Sequence, residues 1–311
     1  MRNNSVAFCI DENYIQHLCV ALMSLLITNG NVVDNIYVLH NPIKGKTKNI
    51  ISNFILKKFH KRIIFIEVTE TVFEDIFKHF KESRHFSPVI FYRYILPNIL
   101  PKDLKTILYL DPDIIVVDNI EKIFKIDFNL ASEGNQDCKN DCDYYVYAVD
   151  HCMDEEALSY LRAIGFILNN DYFNSGILYI NLDKWRKENV SQKAIDFTQK
   201  YIDFLKWPDQ DVLNILFQGK WGKLHPRFNL MSNFFSDNII DLEIAEGLNK
   251  PAIIHFTGSS KPWHLFNKHP YKKIYWKYLW KTPYRFYVPE DIFKIIRHKI
   301  LNPNLYREWY N

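Results

Sequence analysis

The sequence predicts an α/β fold, a mostly parallel sheet with helices on both faces. Three observations lead there. Short apolar runs of strand length alternate with longer segments of helical period. Several of those runs end in an acidic or amide residue, at the strand ends where such sheets place ligands. The 311 residues, 48% apolar and 24% charged, suffice for one large core.

Residues 6–10 read as a buried strand running into Asp11-Glu12-Asn13. Ile15, Leu18, Cys19, Leu22, Leu25 and Leu26 recur at helical spacing and predict an amphipathic helix. Residues 36–39 form a second strand, 47–58 a helix, 62–68 a third strand and 71–80 a helix. Residues 89–96 are an apolar and aromatic helical stretch with Arg93 inside it. Residues 106–110 form a strand that ends in Asp111; a short strand follows at 114–117, then a helix from Asn119. The strand at 145–149 ends in Asp150, and the one at 176–182 follows Phe173-Asn174-Ser175. Residues 191–205 are helical. Pro208-Asp209-Gln210-Asp211 opens a further helix with Val212, Leu213, Leu216 and Phe217 on its apolar side. Residues 252–255 are the last strand. Beyond Trp263, residues 271–281 and 290–301 read as short basic and aromatic helices separated by Pro283 and Pro289. The expected division is a main domain over 1–265 and a helical extension over 266–311.

Net charge is +3, unevenly spread. Residues 261–311 hold 11 Lys/Arg against 3 Asp/Glu, a surplus of 8, which leaves −5 for the first 260. That balance excludes a general nucleic-acid binder. No run approaches the ~20 apolar residues of a membrane span, and residues 6–10 are too short for a signal-peptide core. The expected location is the cytoplasm, with the five cysteines (9, 19, 138, 142 and 152) as thiols. Cys138-x3-Cys142 with Cys152 does not have the spacing of a zinc finger.

Asp111-Pro112-Asp113 is the sharpest chemical feature. Isolated Asp-x-Asp pairs are commonly solvated turns, but this one lies between Ile107-Leu108-Tyr109-Leu110 and Ile114-Ile115-Val116-Val117. Charges inside an apolar stretch need a partner, and a hard divalent cation held against a diphosphate is a suitable one. His255 ends a strand and opens His255-Phe256-Thr257-Gly258-Ser259-Ser260-Lys261. A single histidine there is more often structural. The glycine and lysine that follow suit a phosphate, one through close backbone approach and the other through charge. Asp209 or Asp211 alone would serve as a helix cap. Asn174 and Asp150 suit sugar hydroxyls or plain turns equally. Arg93 requires a partner, either a core aspartate or the metal-binding carboxylates and donor together. His85 is eight residues away and can face the same pocket.

In this order, Asp11-Glu12-Asn13-Tyr14, Tyr92-Arg93, Tyr109–Asp113, Phe173-Asn174-Ser175-Gly176, Asp209-Gln210-Asp211-Val212-Leu213-Asn214 and 255–264 give the chain its likeness to a family. It resembles bacterial glycosyltransferase family 8, the retaining α-galactosyl- and α-glucosyltransferases of lipopolysaccharide and lipooligosaccharide assembly. The resemblance implies a GT-A fold and Mn²⁺ (or Mg²⁺) held by Asp111, Asp113 and His255. It places Asp11, Asn13 and Tyr14 on the uridine of a UDP-hexose, and Gly258 and Lys261 on its diphosphate. Arg93, Asn174, Asp209 and Gln210 would surround the transferred sugar, and Asp150 would lie near donor and acceptor. The sequence departs from some relatives at Pro112 and at Cys9-Ile10.

A metal across the diphosphate would stabilise the leaving group, with Lys261 adding to it. Retention then needs a covalent intermediate or same-face attack. Gln210 is a poor nucleophile, and Asp209 a better one that sugar hydroxyls would engage, so same-face attack is expected. Lys272, Lys273, Lys277, Lys281 and Arg285, interleaved with Tyr275, Trp276, Tyr278, Trp280, Tyr284, Phe286 and Tyr287, suit the anionic cytoplasmic leaflet. There the acceptor would be a lipid-linked saccharide. The plainer reading packs those aromatics inward. A protein or capsule/wall-polymer acceptor and a non-catalytic nucleotide-sugar binder are the competing functions. A two-carboxylate hydrolase needs no diphosphate site.

Overall fold

Strand β1 (Ser5–Ile10) is buried along its whole length because both of its faces are covered. Its alternation divides the core. Ala7 and Cys9 join one apolar cluster, while Val6, Phe8 and Ile10 join another on the opposite face. The computed structural model describes residues 3–69, 87–128, 143–153, 156–166, 171–235 and 241–286. The helices expected at 71–80 and 290–301, together with His85, Cys138 and Cys142, lie outside the described residues.

The remaining strands are β2 (Asn35–His40), β3 (Ile63–Glu67), β4 (Thr106–Leu110), β5 (Ile114–Val116), β6 (Val146–Ala148), β7 (Ile177–Asn181), β8 (Trp221–Lys223), β9 (Leu230–Met231) and β10 (Ile253–His255). Six of them and β1 form one mixed sheet in the order β3-β2-β1-β4-β7-β6-β8. Its first four strands are parallel, and β7 is antiparallel to both β4 and β6. A small second sheet has the order β5-β10-β9, with His255 opposite Ile114. Strands β8 and β9 went unread in the sequence, being three and two residues long.

The longer helices are α1 (Ile15–Asn29), α2 (Gly45–Phe59), α3 (Val190–Tyr201), α4 (Pro208–Leu216), α5 (Leu242–Asn249) and α6 (Lys272–Leu279). Residues 88–95 are 3-10 rather than α-helical. Helix α1 departs from the expected amphipathic pattern. Val20, Ala21 and Met23 are buried along with the predicted apolar stripe. The reason is a third apolar cluster, in which Val20 meets Ile115, Ile254, Phe256, Trp263, Tyr275 and Leu279. Helix α6 therefore lies on α1, opposite the main sheet. His17 is part of that seam. Its ring stacks on Trp263 at 3.5 Å between centroids, and its Nδ1 is 2.7 Å from the Tyr275 hydroxyl. Burial pushes the His17 pKa down to about 3, so the ring is neutral. No helix among the described residues is long and apolar enough to cross a membrane.

Candidate active site

The reversal of β7 assembles the site. A strand antiparallel to β4 begins where β4 ends, so Phe173–Gly176 arrive beside Asp111. The Asp111 amide donates to the Gly176 carbonyl at 2.7 Å. Two residues on, Asp113 opens β5, and the pairing of β5 with β10 delivers His255 to the same point. The His255 Nε2 stands 3.4 Å from Asp113 Oδ1 and 3.8 Å from Asp111 Oδ2. One ligand atom from each of the three lies within 4.8 Å of the others. Two carboxylate oxygens and an imidazole nitrogen form a donor set suited to a divalent cation of the Mn²⁺ or Mg²⁺ kind.

The electrostatics of the two aspartates differ. Burial drives Asp113 upward, yet Lys261 and His255 more than reverse this and hold its carboxyl well below the usual range. The Lys261 Nζ donates to Asp113 Oδ2 at 2.5 Å and to the Phe256 carbonyl at 2.7 Å. Burial also raises Asp111, and there it prevails over Arg93. The Tyr109 hydroxyl donates to Asp111 Oδ1 at 2.5 Å.

Arg93 answers the question its buried charge posed. It pairs with Asp111 through Nη2 and with Asp209 through Nη1, both at 3.0 Å. It also donates to the Ser175 carbonyl and hydroxyl at 2.7 and 2.9 Å and lies over the Tyr109 ring. Burial opposes its charge, but Asp111 and Asp209 raise its pKa beyond the ordinary arginine value. In this network three carboxylates (Asp111, Asp113, Asp209) face two cations (Arg93, Lys261). A divalent cation would turn the local balance from −1 to +1, a change that favours an incoming anion.

Asp209 and Gln210 enter from the first turn of α4. Ser175 Oγ donates to Asp209 Oδ2 at 3.0 Å. The Gln210 amide is saturated. Its Oε1 accepts from Asn174 Nδ2 at 2.9 Å and from the Ser175 amide at 3.0 Å. Its Nε2 donates to the Tyr172 hydroxyl and to His151 Nδ1, each at 3.1 Å. Asp211 faces away from the cluster. It accepts from the Tyr160 and Tyr172 hydroxyls and from the amides of Lys206 and Trp207, so it is the structural cap of this turn.

A cleft of about 650 Å³ adjoins the carboxylates, lined among others by Asp11, Asn13, Tyr14, Arg93, Asp111 and Asp113. The Asp11 Oδ1 caps the turn at Asn13 and Tyr14, and its Oδ2 accepts from Ser87 Oγ at 2.9 Å. Tyr14 makes edge contacts with His17 and Trp263. Gly258 has φ +81°, a conformation that strains any residue with a Cβ. Asp150 is bound to Lys223 Nζ at 2.8 Å and caps Cys152.

Sequence reasoning passed over Gly176, Asn229 and His151. Gly176 stood in a quoted motif, but its importance is steric and depends on what packs against it. A Cβ there would lie 2.2 Å from His255 Cε1 and 2.7 Å from Asp111 Oδ2. Asn229 precedes a two-residue strand and carried no signal. His151 follows Asp150, and its contact with Gln210 spans 59 residues.

The same fold occurs in the galactosyltransferase LgtC, solved with donor and acceptor sugar analogs. The TM-score is 0.74 at 26% sequence identity, over 92% of this chain and 98% of that one. The protein is a glycosyltransferase of the GT-A type, a hexosyltransferase. The sequence profile of glycosyl transferase family 8 matches residues 5–266, and the chain belongs to that family. General stress protein A of Bacillus subtilis (strain 168) is 31% identical over 291 residues, 89% of this chain and 94% of its own. Lipopolysaccharide 1,2-glucosyltransferase of Escherichia coli (strain K12) is 24% identical over 300 residues, 95% of this chain and 83% of its own.

Proposed function

We propose that the enzyme transfers galactose or glucose, with retention, from a UDP-sugar to a lipopolysaccharide-core or lipooligosaccharide acceptor in a Mn²⁺-dependent reaction. The observation that carries this reading is the convergence of Asp111, Asp113 and the His255 Nε2 at the edge of the cleft that Tyr14 lines. Those three residues would hold the metal, whose chemistry is to offset charge on the departing diphosphate. Tyr14 offers a ring for the base. Asp11 and Asn13 bound the same end of the cleft, and Gly258 and Lys261 stand on the turn after β10, where a phosphate would be met. Arg93, Asn174, Asp209 and Gln210 then enclose the hexose, with Asp150 toward the acceptor.

The saturated Gln210 oxygen supports same-face attack over a covalent intermediate, because both of its lone pairs are engaged. The departing phosphate would take the acceptor proton. A glycosyl-enzyme adduct seen by intact mass spectrometry after mixing with donor would refute this route. For the activity itself, UDP release from UDP-galactose or UDP-glucose is expected with Mn²⁺ and a lipooligosaccharide acceptor. It should disappear on chelation and return when Mn²⁺ is restored. No turnover with either donor would favour a non-catalytic nucleotide-sugar binder, and transfer confined to a protein or wall polymer would change the acceptor class.

Residues 266–311 are proposed to attach the enzyme to the cytoplasmic membrane surface. Helix α6 buries Tyr275 and Leu279 against the catalytic domain, while beyond its end Trp280 is 66% and Phe286 75% exposed, beside Lys281 and Arg285. The double variant Trp280→Ser, Phe286→Ser should co-sediment with anionic vesicles less than the unmodified enzyme, at unchanged melting temperature. Equal sedimentation of the two would rule this attachment out.

A further inference from the structure

A single chain of side-chain hydrogen bonds runs from the sugar-side amide Gln210 to the metal-site histidine. Its direction is fixed. The Ser175 amide donates to Gln210 Oε1 at 3.0 Å, so that atom is the oxygen, and Asn174 Nδ2 must be the other donor to it. The Gly176 amide donates to Asn174 Oδ1 at 3.0 Å, so Asn229 must present its Nδ2 to that oxygen, at 2.8 Å. The Asn229 Oδ1 is then the atom that faces His255 Nδ1, at 2.9 Å. An amide oxygen only accepts, so His255 carries a proton on Nδ1, and Nε2 is the nitrogen left to face Asp111 and Asp113 and to serve as the ligand atom. Two backbone N–H groups therefore determine, through three amides, which nitrogen of His255 is free. All the members from Asn174 to His255 are buried, Asn229 completely.

We propose that Asn229 is the positioning residue of the metal site: it holds His255 as the Nδ1–H tautomer, with Nε2 preorganised as the ligand atom. The same residue ties that ligand to Asn174 and Gln210. This rests on the reading of Asp111, Asp113 and His255 as the metal site. Partners of this kind on a metal-ligating histidine are worth about 10- to 100-fold in metal affinity.

Two measurements test it. In the full-length, metal-free protein with ¹⁵N-labelled histidine, long-range ¹H–¹⁵N correlation should report His255 as Nδ1–H, with Asn229→Leu giving a mixture of tautomers. A neutral ring protonated on Nε2 and bare at Nδ1 in the unmodified protein would overturn the proposal. Second, Mn²⁺ titration followed by electron paramagnetic resonance should show about 10- to 100-fold weaker binding in Asn229→Leu. Asn229→Asp still accepts from Nδ1–H but gives up the bond to Asn174 Oδ1, so it should lose less affinity than Asn229→Leu. Unchanged binding in Asn229→Leu would overturn the proposal, as would equal losses in the two variants. The tautomer measurement needs no metal and still decides the case if Asn229→Leu does not fold. An unmodified chain that bound no Mn²⁺ would refute the metal-site reading instead, leaving the His255 tautomer to be judged by NMR.

Discussion

Gly176→Ala is expected to lower sugar transfer by about 100-fold or more while the fold persists. The added Cβ would fall 2.2 Å from His255 Cε1, 2.7 Å from Asp111 Oδ2 and 3.0 Å from His255 Nδ1. The backbone has little room to retreat. The Gly176 carbonyl accepts from Asp111 N at 2.7 Å, and its amide donates to Asn174 at 3.0 Å. His255 must therefore move away from the two carboxylates, against the hold of Asn229. Turnover measured across a Mn²⁺ titration, with circular dichroism as the check on folding, reads the effect directly. A variant with ordinary Mn²⁺ dependence and turnover would show that His255 does not sit where the geometry puts it.

The second large effect is expected at Arg93. Arg93→Met strands Asp111 and Asp209, whose side chains are 21% and 12% exposed, and removing one member of a buried ionic network costs about 3–5 kcal/mol. Urea unfolding should show a loss of that size together with loss of transfer. Arg93→Lys should recover little of either. A single ammonium cannot reproduce the fork whose Nη1 and Nη2 meet two carboxylates from different elements. A loss under about 1 kcal/mol in Arg93→Met would mean that the two aspartates find other partners.

Much of the fold could be read in the sequence because its signals are local. Strands β1, β2 and β4 are short apolar runs with turn chemistry at their ends, and the Pro208 start of α4 follows from proline's preference for the first helical position. The failures were also physical. The periodicity of α1 gave an amphipathic helix, since nothing in its own residues says that α6 will cover the second face. The antiparallel course of β7 had no local signature, because an apolar strand reads alike in either direction.

The candidate site divides the same way. By itself, the sequence determined the chemical groups: two aspartates held between apolar strands, a histidine at a strand end, and a buried arginine that had to find an acid. These follow from the cost of placing charge in apolar surroundings, which acts residue by residue. Only the tertiary structure decided the partners. Arg93 spans Asp111 and Asp209, Lys261 lies on Asp113, and Gly176 leaves the space that His255 occupies. The amides of Asn174 and Asn229 fix which nitrogen of His255 stays open. Each of these contacts joins segments from 18 to 148 residues apart. Their geometry comes from strand order and strand direction, which are set by the packing of the whole sheet.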